Sequence, residues 1–182
     1  MKQAQFRFYE ELNDFLPPRR RKVSFQYEFR GTTPVKDAIE AIGVPHVEVD
    51  LILVNGTSVG FAYKLKEGDS VSVYPVFESI DIGPVSRLRE KPLRETKFIL
   101  DAHLGRLARQ LRLCGFDCFF NNQLSDTGII DLAGKEGRII LTRDRALLKI
   151  SRVTHAYWIR SQQPREQLKE VLTRFDLKDR LA

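Results

Sequence analysis

The 182 residues, 42% hydrophobic and 30% charged, have the balance of a globular protein with a substantial core, and no apolar run approaches the ~18 residues of a membrane span. The N-terminal residues contain no apolar signal core, so we expect a cytoplasmic protein without a membrane partner. The two cysteines fit neither a disulfide framework nor a zinc site, and we expect them to be small core residues.

The net charge of +6 is unevenly distributed along the chain. Residues 1–90 hold 12 basic and 13 acidic residues, whereas residues 91–182 hold 18 basic and 11 acidic residues. This excess predicts a polyanionic partner for the second half, nucleic acid before membrane, although a generic basic surface also accounts for it.

The first half, residues 1–78, is predicted to form a small β-grasp domain. Apolar residues alternate along residues 23–29, VSFQYEF, which is typical of a strand with one buried face. A helix is predicted over residues 34–42, with Thr33 as its N-cap and Pro34 as its first residue. Two further strands are predicted, each next to a glycine-containing turn. Hairpin, helix and further strands is the order of a β-grasp domain, but other compact α+β domains share it.

Residues 79–96 are predicted to be a linker, because two prolines and several charges interrupt the apolar periodicity. Strands and helices then alternate to the end of the chain. The predicted strands are residues 97–100, 116–120, 138–142 and 155–161, and the predicted helices are residues 103–113, a helix capped by Ser125, and residues 164–175. Repeated strand-helix units predict an α/β domain in which helices cover both faces of a mostly parallel sheet.

Acidic residues stand where these predicted strands end. Asp101 directly follows the first strand, Asp144 follows the third, and Asp126 begins the helix after the second. Ligands of open parallel sheets bind beyond the carboxyl ends of the strands, where loops and helix N-termini meet. We therefore expect the three carboxylates to converge at one edge of the sheet.

Clustered carboxylates repel one another unless a cation lies among them or a pKa rises. Hard oxygen ligands completed by water suit Mg²⁺ or Mn²⁺. Such an ion activates water and neutralises the charge that develops on a phosphodiester during its displacement. The pattern predicts metal-assisted phosphodiester chemistry next to a basic surface.

Several of these residues also have simpler explanations. Asp126 next to Ser125 is equally typical of an acid in the first turn of a helix, where it interacts favourably with the helix dipole. Asp131 is better explained as part of a solvated helix face, and His103 as a residue that begins a helix. Three arginines at three-residue spacing either bind phosphates or form the exposed side of their helix; they are Arg106, Arg109 and Arg112.

Three segments together resemble a known family. FILDAHLGRLARQLRLCGFD, LSDTGIIDLA and EGRIILTRDRALL, in this order and spacing, look like the Mut-seven C-terminal ribonuclease domain, which has a PIN-like nuclease fold. The resemblance covers about residues 97–175. Prokaryotic members often carry an N-terminal ubiquitin-like domain similar to sulfur-carrier proteins, in agreement with the β-grasp pattern of residues 1–78. The resemblance implies a ubiquitin-like β-grasp domain followed by a PIN-like three-layer α/β/α domain over residues 97–182.

The resemblance also implies an activity, namely metal-dependent hydrolysis of RNA phosphodiester bonds with Mg²⁺ or Mn²⁺ as cofactor. Asp101, Asp126 and Asp144 stand on the acidic positions of the family, where they would act as catalytic and metal-binding residues. Arg106, Arg143 and Arg145 match motif positions that could contact RNA, and Arg109 follows Arg106 on the same helix. Nothing in the sequence indicates an oligomeric state.

The chain departs from the family pattern at three places. Members commonly continue into a zinc ribbon with paired cysteines, whereas this sequence ends at Ala182 without them. Many PIN-like nucleases have a further acid soon after the third one, where this sequence has Ala146. Working sulfur carriers end in Gly-Gly, whereas the corresponding region here reads FESIDIGPVS and continues into a second domain. We therefore expect the ubiquitin-like domain to bind a protein partner or to position RNA.

Other classes of protein fit less well. A noncatalytic RNA-binding or adaptor protein with a degenerate PIN-like site is the main alternative, and it would retain RNA in the presence of chelator. A phosphorelay receiver needs an acidic pair near the first strand, and a haloacid-dehalogenase-like phosphatase needs Asp-x-Asp. The sequence offers Asp101 followed by Ala102 and His103.

Overall fold

A computed structural model describes residues 1–75 and 96–178 of the protein. The chain divides into two compact units, Met1–Pro92 and Leu93–Ala182. The predicted linker, residues 79–96, lies outside the described residues except for Thr96, and so does the segment FESIDIGPVS. In the described part of the chain, no helix is long and apolar enough to cross a membrane.

Within residues 1–75, the N-terminal unit is a five-stranded mixed sheet with one α-helix, the arrangement expected of a β-grasp domain. The strands are β1 Lys2–Phe8, β2 Phe25–Phe29, β3 Val49–Val54, β4 Thr57–Ser58 and β5 Ser70–Pro75, and the helix is α1 Val35–Ile42. The strand order is β2-β1-β5-β3-β4, with β1 and β5 parallel and the other pairs antiparallel. Short 3-10 turns follow β1 and precede β3.

Two details of this unit differ from the sequence-based expectation. Strand β1 was not predicted, although Ala4, Phe6 and Phe8 alternate and are buried in the sheet. Helix α1 starts one residue later than expected, with Pro34 as its N-cap. Thr33 instead donates its hydroxyl hydrogen bond to the backbone oxygen of Arg30, at 3.1 Å. Thr33 therefore stabilises the preceding turn and does not cap α1.

Within residues 96–178, the C-terminal unit is a four-stranded sheet in which three of the strands are followed by an α-helix. The strands are β6 Lys97–Leu100, β7 Asp117–Phe120, β8 Ile139–Thr142 and β9 Ala156–Trp158, and the helices are α2 Gly105–Leu113, α3 Asp126–Glu136 and α4 Pro164–Arg174. The order β7-β6-β8-β9 is parallel throughout. All four strands therefore end at the same edge of the sheet, which we call the carboxyl edge.

Helices cover both faces of this sheet, as the sequence predicts. Helices α2 and α4 pack together on the face that contains Phe98, Leu100, Leu141 and Tyr157. Because side chains alternate along a strand, Ile99 and Ile140 point to the opposite face, where α3 packs against β6 and β8. The result is the predicted three-layer α/β/α domain.

Local signals explain where the helices of this unit begin. Ser125 caps α3 by accepting a hydrogen bond from the backbone nitrogen of Gly128, at 3.2 Å, as its sequence context predicts. The predicted helix from His103 instead begins with a 3-10 turn, Ala102–Leu104, before α2 starts at Gly105. A Cβ atom at Gly105 would lie 2.8 Å from the ring of Phe120, so a larger residue there would require that ring to shift.

An ion pair fastens the opposite, amino-terminal edge of the sheet. Arg138 donates to the Asp117 carboxylate at 2.7 Å and to the backbone oxygen of Phe98 at 3.2 Å. The hydrogen bond from Arg138 is the main cause that lowers the pKa of Asp117. The stabilisation from this carboxylate is therefore present above its unfolded-state pKa and is lost as the pH falls through the lowered folded-state value. This pair joins the starts of β6, β7 and β8, away from the edge where the strands end.

Burial also sets the chemistry of Cys118, whose pKa it raises to about 12. The folded thiol stays protonated in mild alkali, whereas the thiol of an unfolded chain ionises near pH ~8.5. The unfolded state thus binds fewer protons above that pH, and the contribution of Cys118 to stability falls as the pH rises towards 12.

The burial of Cys118 also predicts its reactivity. We expect iodoacetamide to alkylate the partly exposed Cys114 well before Cys118, as measured by peptide mass spectrometry. Equal rates in the folded protein would contradict the buried position, and denaturant should equalise them.

Candidate active site

The three predicted acids all belong to segments that meet the carboxyl edge. Asp101 directly follows β6, and Asp144 is the second residue after β8. Asp126 opens α3, which the chain enters from the end of β7 after a loop of residues 121–125. Because β6, β7 and β8 are parallel neighbours, the topology puts all three segments at one edge of the sheet rather than at opposite edges.

Asp101 is a buried carboxylate that three protein donors hold in place. It is only 7% exposed. Its Oδ1 accepts from the backbone nitrogen of His103 at 2.9 Å, which caps the 3-10 turn. Its Oδ2 accepts from the Thr142 hydroxyl at 2.5 Å and from the backbone nitrogen of Arg143 at 2.9 Å. Since a carboxylate offers about four lone-pair positions, these donors leave about one position, on Oδ1.

Thr142 connects Asp101 to Asp144. The Thr142 side chain is fully buried, and its hydroxyl donates to Asp101 while accepting from the backbone nitrogen of Asp144 at 2.9 Å. Asp144 then accepts from the backbone nitrogen of Ala146 at 2.7 Å through its own Oδ1. This chain of hydrogen bonds fixes the turn after β8 relative to the end of β6. We call Asp101, Thr142 and Asp144 the edge triad.

Asp126 has a different environment from the edge triad. It is exposed in the first turn of α3, directly after the capping residue Ser125. That position also stabilises the helix, because an acid in the first turn interacts favourably with the helix dipole. Asp126 therefore reaches the carboxyl edge through a helix N-terminus, whereas Asp101 and Asp144 reach it through strand ends.

The other residues considered as ligands, His103 and Asp131, have different contacts. The exposed His103 meets Asp101 through its backbone nitrogen, in the 3-10 turn. Asp131 is exposed and forms an ion pair with Arg152. Among residues 1–75 and 96–178, no group of three or more His, Cys, Asp and Glu side chains is arranged to hold a metal ion.

The predicted RNA-binding arginines fall into two groups. Arg106 and Arg109 are exposed on α2, whose first turn begins at the carboxyl edge. Arg145 is exposed after β8, with its guanidinium carbon 4.3 Å from the ring centroid of Trp158. Arg143 is half-buried and donates to the backbone oxygens of residues 159–161, which holds the segment after β9 in place. Contact between Arg143 and RNA stays a prediction.

Arg112, the third arginine of the α2 series, has a structural contact. Its Nε donates to the backbone oxygen of Cys118 at 2.9 Å and so ties the end of α2 to β7. The regular spacing of the three arginines therefore combines two exposed residues with one that braces the helix against the sheet.

The fold and the acidic residues at the carboxyl edge define the class of the protein, in which a PIN-like α/β domain follows a β-grasp domain. Comparison with known families identifies both halves. Residues 1–81 match the Mut7-C ubiquitin family, and residues 96–182 match the Mut7-C RNAse domain. The chain therefore belongs to the Mut7-C proteins that join these two domains, which confirms the resemblance found in the sequence. No curated protein and no solved structure matches the chain.

Thr142 is the residue of this edge that sequence reasoning missed. It was assigned only to the end of a strand, because a threonine in an apolar run is typical of a β-strand. A hydroxyl two residues before an acid could have indicated a local turn, since threonine side chains often accept from nearby backbone nitrogens. Its contact with Asp101, 41 residues earlier, has no signal in the sequence.

We expect Thr142→Val to lower the free energy of unfolding by about 1–3 kcal/mol, because it keeps the volume but leaves buried polar partners without their hydroxyl. Thr142→Ser keeps the hydroxyl and loses one methyl group, for a cost of about 0.8 kcal/mol. Urea unfolding would measure both variants, with the exposed Thr173→Val as a control expected to stay within about 0.5 kcal/mol. A larger loss for serine than for valine would show that Thr142 acts through packing rather than through its hydrogen bonds.

Proposed function

We propose that the protein is a metal-dependent ribonuclease that hydrolyses RNA phosphodiester bonds at the carboxyl edge of its C-terminal domain. The observation that carries this proposal is the edge triad, in which the Thr142 hydroxyl donates to the buried carboxylate of Asp101 and accepts from the backbone nitrogen of the exposed Asp144. Membership in the Mut7-C RNAse family supports the choice of RNA as substrate. The ion pairs of the opposite edge, by contrast, have a sufficient structural explanation in the Arg138 contacts.

The donor chemistry of the edge suits Mg²⁺ or Mn²⁺. Asp101 retains about one lone-pair position on Oδ1, and Asp126 and Asp144 are exposed acids on neighbouring segments. Magnesium commonly keeps several waters and is held by one or two carboxylates together with substrate phosphates, so a preformed three-ligand group is not required. Asp101 and Asp144 would hold the ion, with Asp126 as a further ligand. The bound ion would supply charge neutralisation and a more acidic water.

The residues of the chain then have separate tasks. Asp101 is held by its three donors, so it orients the ion or group that binds at the remaining lone-pair position on its Oδ1. Asp144 projects from a turn that Thr142 fixes, and its exposure gives substrate access to it. Arg106 and Arg109 provide exposed positive charge beside the edge, where they would bind phosphates flanking the bond to be cut. We further propose that the ubiquitin-like domain recruits a protein partner or positions RNA.

One observation favours a second candidate function. The described residues contain no group of three ligands ready to hold a metal ion, as a noncatalytic RNA-binding protein with a degenerate site would also show. The two functions differ in their response to chelator. A nuclease stops cutting RNA when the metal is removed, whereas a binding protein retains RNA and cuts it under neither condition.

Asp144→Asn is the sharpest test of the ribonuclease. The asparagine keeps the size of the side chain and can still accept from the backbone nitrogen of Ala146, so folding should survive. We expect the loss of the charge to lower Mg²⁺- or Mn²⁺-dependent cleavage of single-stranded RNA by at least ~100-fold, about 3 kcal/mol of transition-state stabilisation. Chelator should abolish cleavage by the unaltered protein.

Asp131→Asn provides the matched control for this experiment. It removes the same charge from an exposed acid whose contact is the Arg152 ion pair, so cleavage should be nearly unchanged. Asp101→Asn is less informative, because an amide group facing the Thr142 hydroxyl and the Arg143 nitrogen would also disturb folding. Equal cleavage by the Asp144 variant and the unaltered protein would locate the activity elsewhere.

The positive charge of the C-terminal half should make RNA binding strongly dependent on salt. Each phosphate contact adds about 0.7 to the slope of log affinity against log salt for a single strand. Arg106→Gln and Arg109→Gln should therefore each lower the slope by up to about 0.7 and weaken binding of all RNA sequences similarly. Fluorescence anisotropy over a range of salt concentrations would measure this. The control is Lys135→Gln at the other end of α3, and an equal effect there would favour a diffuse basic surface.

A further inference from the structure

The only tryptophan of the sequence lies next to the edge triad. Trp158 ends β9, and its Cα partner on β8 is Thr142. Thr142 in turn donates to Asp101 at the end of β6, so the three residues form one row across three neighbouring strands. Adjacent strands are about 4.8 Å apart, which puts the backbone of Trp158 about 10 Å from that of Asp101. This distance is within reach of a nucleotide that neighbours a bond held at Asp101.

Trp158 points away from the main core of the domain. Tyr157, the residue before it, is buried against α4 and donates its hydroxyl hydrogen bond to Glu170 at 3.1 Å. Side chains alternate along a strand, so Trp158 lies on the same face as its partner Thr142. Its side chain is only partly buried, although an indole is a large apolar group.

Two arginines contact the indole of Trp158. The guanidinium carbon of Arg145 lies 4.3 Å from a ring centroid of Trp158, and that of Arg160 lies 5.2 Å away. Arg160 also donates to the backbone oxygen of Trp158 at 3.0 Å. An aromatic ring beside guanidinium groups combines a flat surface for stacking a base with positive charge for the adjoining phosphate.

A neighbouring arginine–aromatic pair lies in a drier environment. The guanidinium of Arg174 lies 5.1 Å from the ring centroid of Tyr157, and both residues are buried, at 9% and 5% exposure. Arg145, by contrast, is exposed and Trp158 is partly exposed. A contact that served only to stabilise the fold would gain more from the dry environment that the Tyr157 pair occupies.

We propose that Trp158 and Arg145 form a stacking platform for a nucleobase of single-stranded RNA, next to the phosphodiester bond at the edge triad. The platform rests on the proposed ribonuclease function and adds a substrate class to it. A base in a duplex is already stacked on its neighbours, so the platform favours unpaired RNA. Every base can stack on an aromatic ring. The platform therefore distinguishes single-stranded from double-stranded RNA, and it does not distinguish one base sequence from another.

The single tryptophan allows a direct test, because all indole fluorescence comes from Trp158. The full-length protein is titrated in chelator with a single-stranded oligoadenylate of about eight nucleotides, and with a strand of equal length and charge that lacks bases. Binding is measured independently by the anisotropy of labelled RNA. We expect the oligoadenylate to quench Trp158 at saturation and the base-free strand to leave its emission nearly unchanged. Saturated binding of oligoadenylate without quenching would overturn the platform.

Substitutions test the same contact through affinity. Trp158→Leu should weaken oligoadenylate binding about tenfold, or about 1.4 kcal/mol, and leave binding of the base-free strand unchanged. Trp158→Phe keeps an aromatic ring and should lose less, which separates stacking from a folding defect. Arg145→Ala should weaken binding of both strands more than its matched control Lys135→Ala. Equal losses of both strands in Trp158→Phe and Trp158→Leu would instead assign Trp158 to the fold.

The experiment separates failure of the platform from failure of the ribonuclease. Quenching is measured in chelator, so it does not depend on cleavage. Quenching by oligoadenylate without any metal-dependent cleavage would keep the platform and overturn the ribonuclease. Cleavage without quenching would keep the ribonuclease and overturn the platform.

Discussion

The hydrogen bond from the Thr142 hydroxyl to the Asp101 carboxylate joins two strand ends that the chain separates by 41 residues. A carboxylate that is only 7% exposed is costly to bury unless donors surround it. Asp101 meets this requirement with one hydroxyl and two backbone nitrogens, all of which come from residues beside the ends of β6 and β8. The edge of the sheet and the orientation of the acid are therefore fixed by the same contacts.

The charged residues of the turn after β8 lie in different environments. Arg143 uses its backbone nitrogen to hold Asp101 and its guanidinium to hold the segment after β9. Asp144 and Arg145 then lie exposed beyond the buried Thr142. The first charge after the strand braces the edge, and the next two face solvent. A strand that simply ended at the surface would not need the first of these contacts.

The two edges of the sheet show how differently acids are used in one domain. At the amino-terminal edge, Asp117 is paired with Arg138, and that hydrogen bond lowers its pKa. At the carboxyl edge, Asp101 is held by one hydroxyl and two backbone nitrogens. A carboxylate that is held by uncharged donors can still bind a cation. This difference is the physical basis for locating the proposed chemistry at the carboxyl edge.

The sequence by itself determined the order of the strands and helices that follow β1, because alternation and helical periodicity depend on neighbouring residues. It also placed Asp101, Asp126 and Asp144 after parallel strands, since a βαβ connection returns the chain in the same direction. It missed β1, whose alternating Ala4, Phe6 and Phe8 lie among polar residues, and it began α1 one residue early at Pro34. Only the tertiary structure decided that Thr142 meets Asp101, that Arg112 and Arg143 contact backbone oxygens, and that Trp158 lies beside Thr142. Those contacts depend on strand order and register, which hydrogen bonds between distant segments establish and which no local pattern encodes.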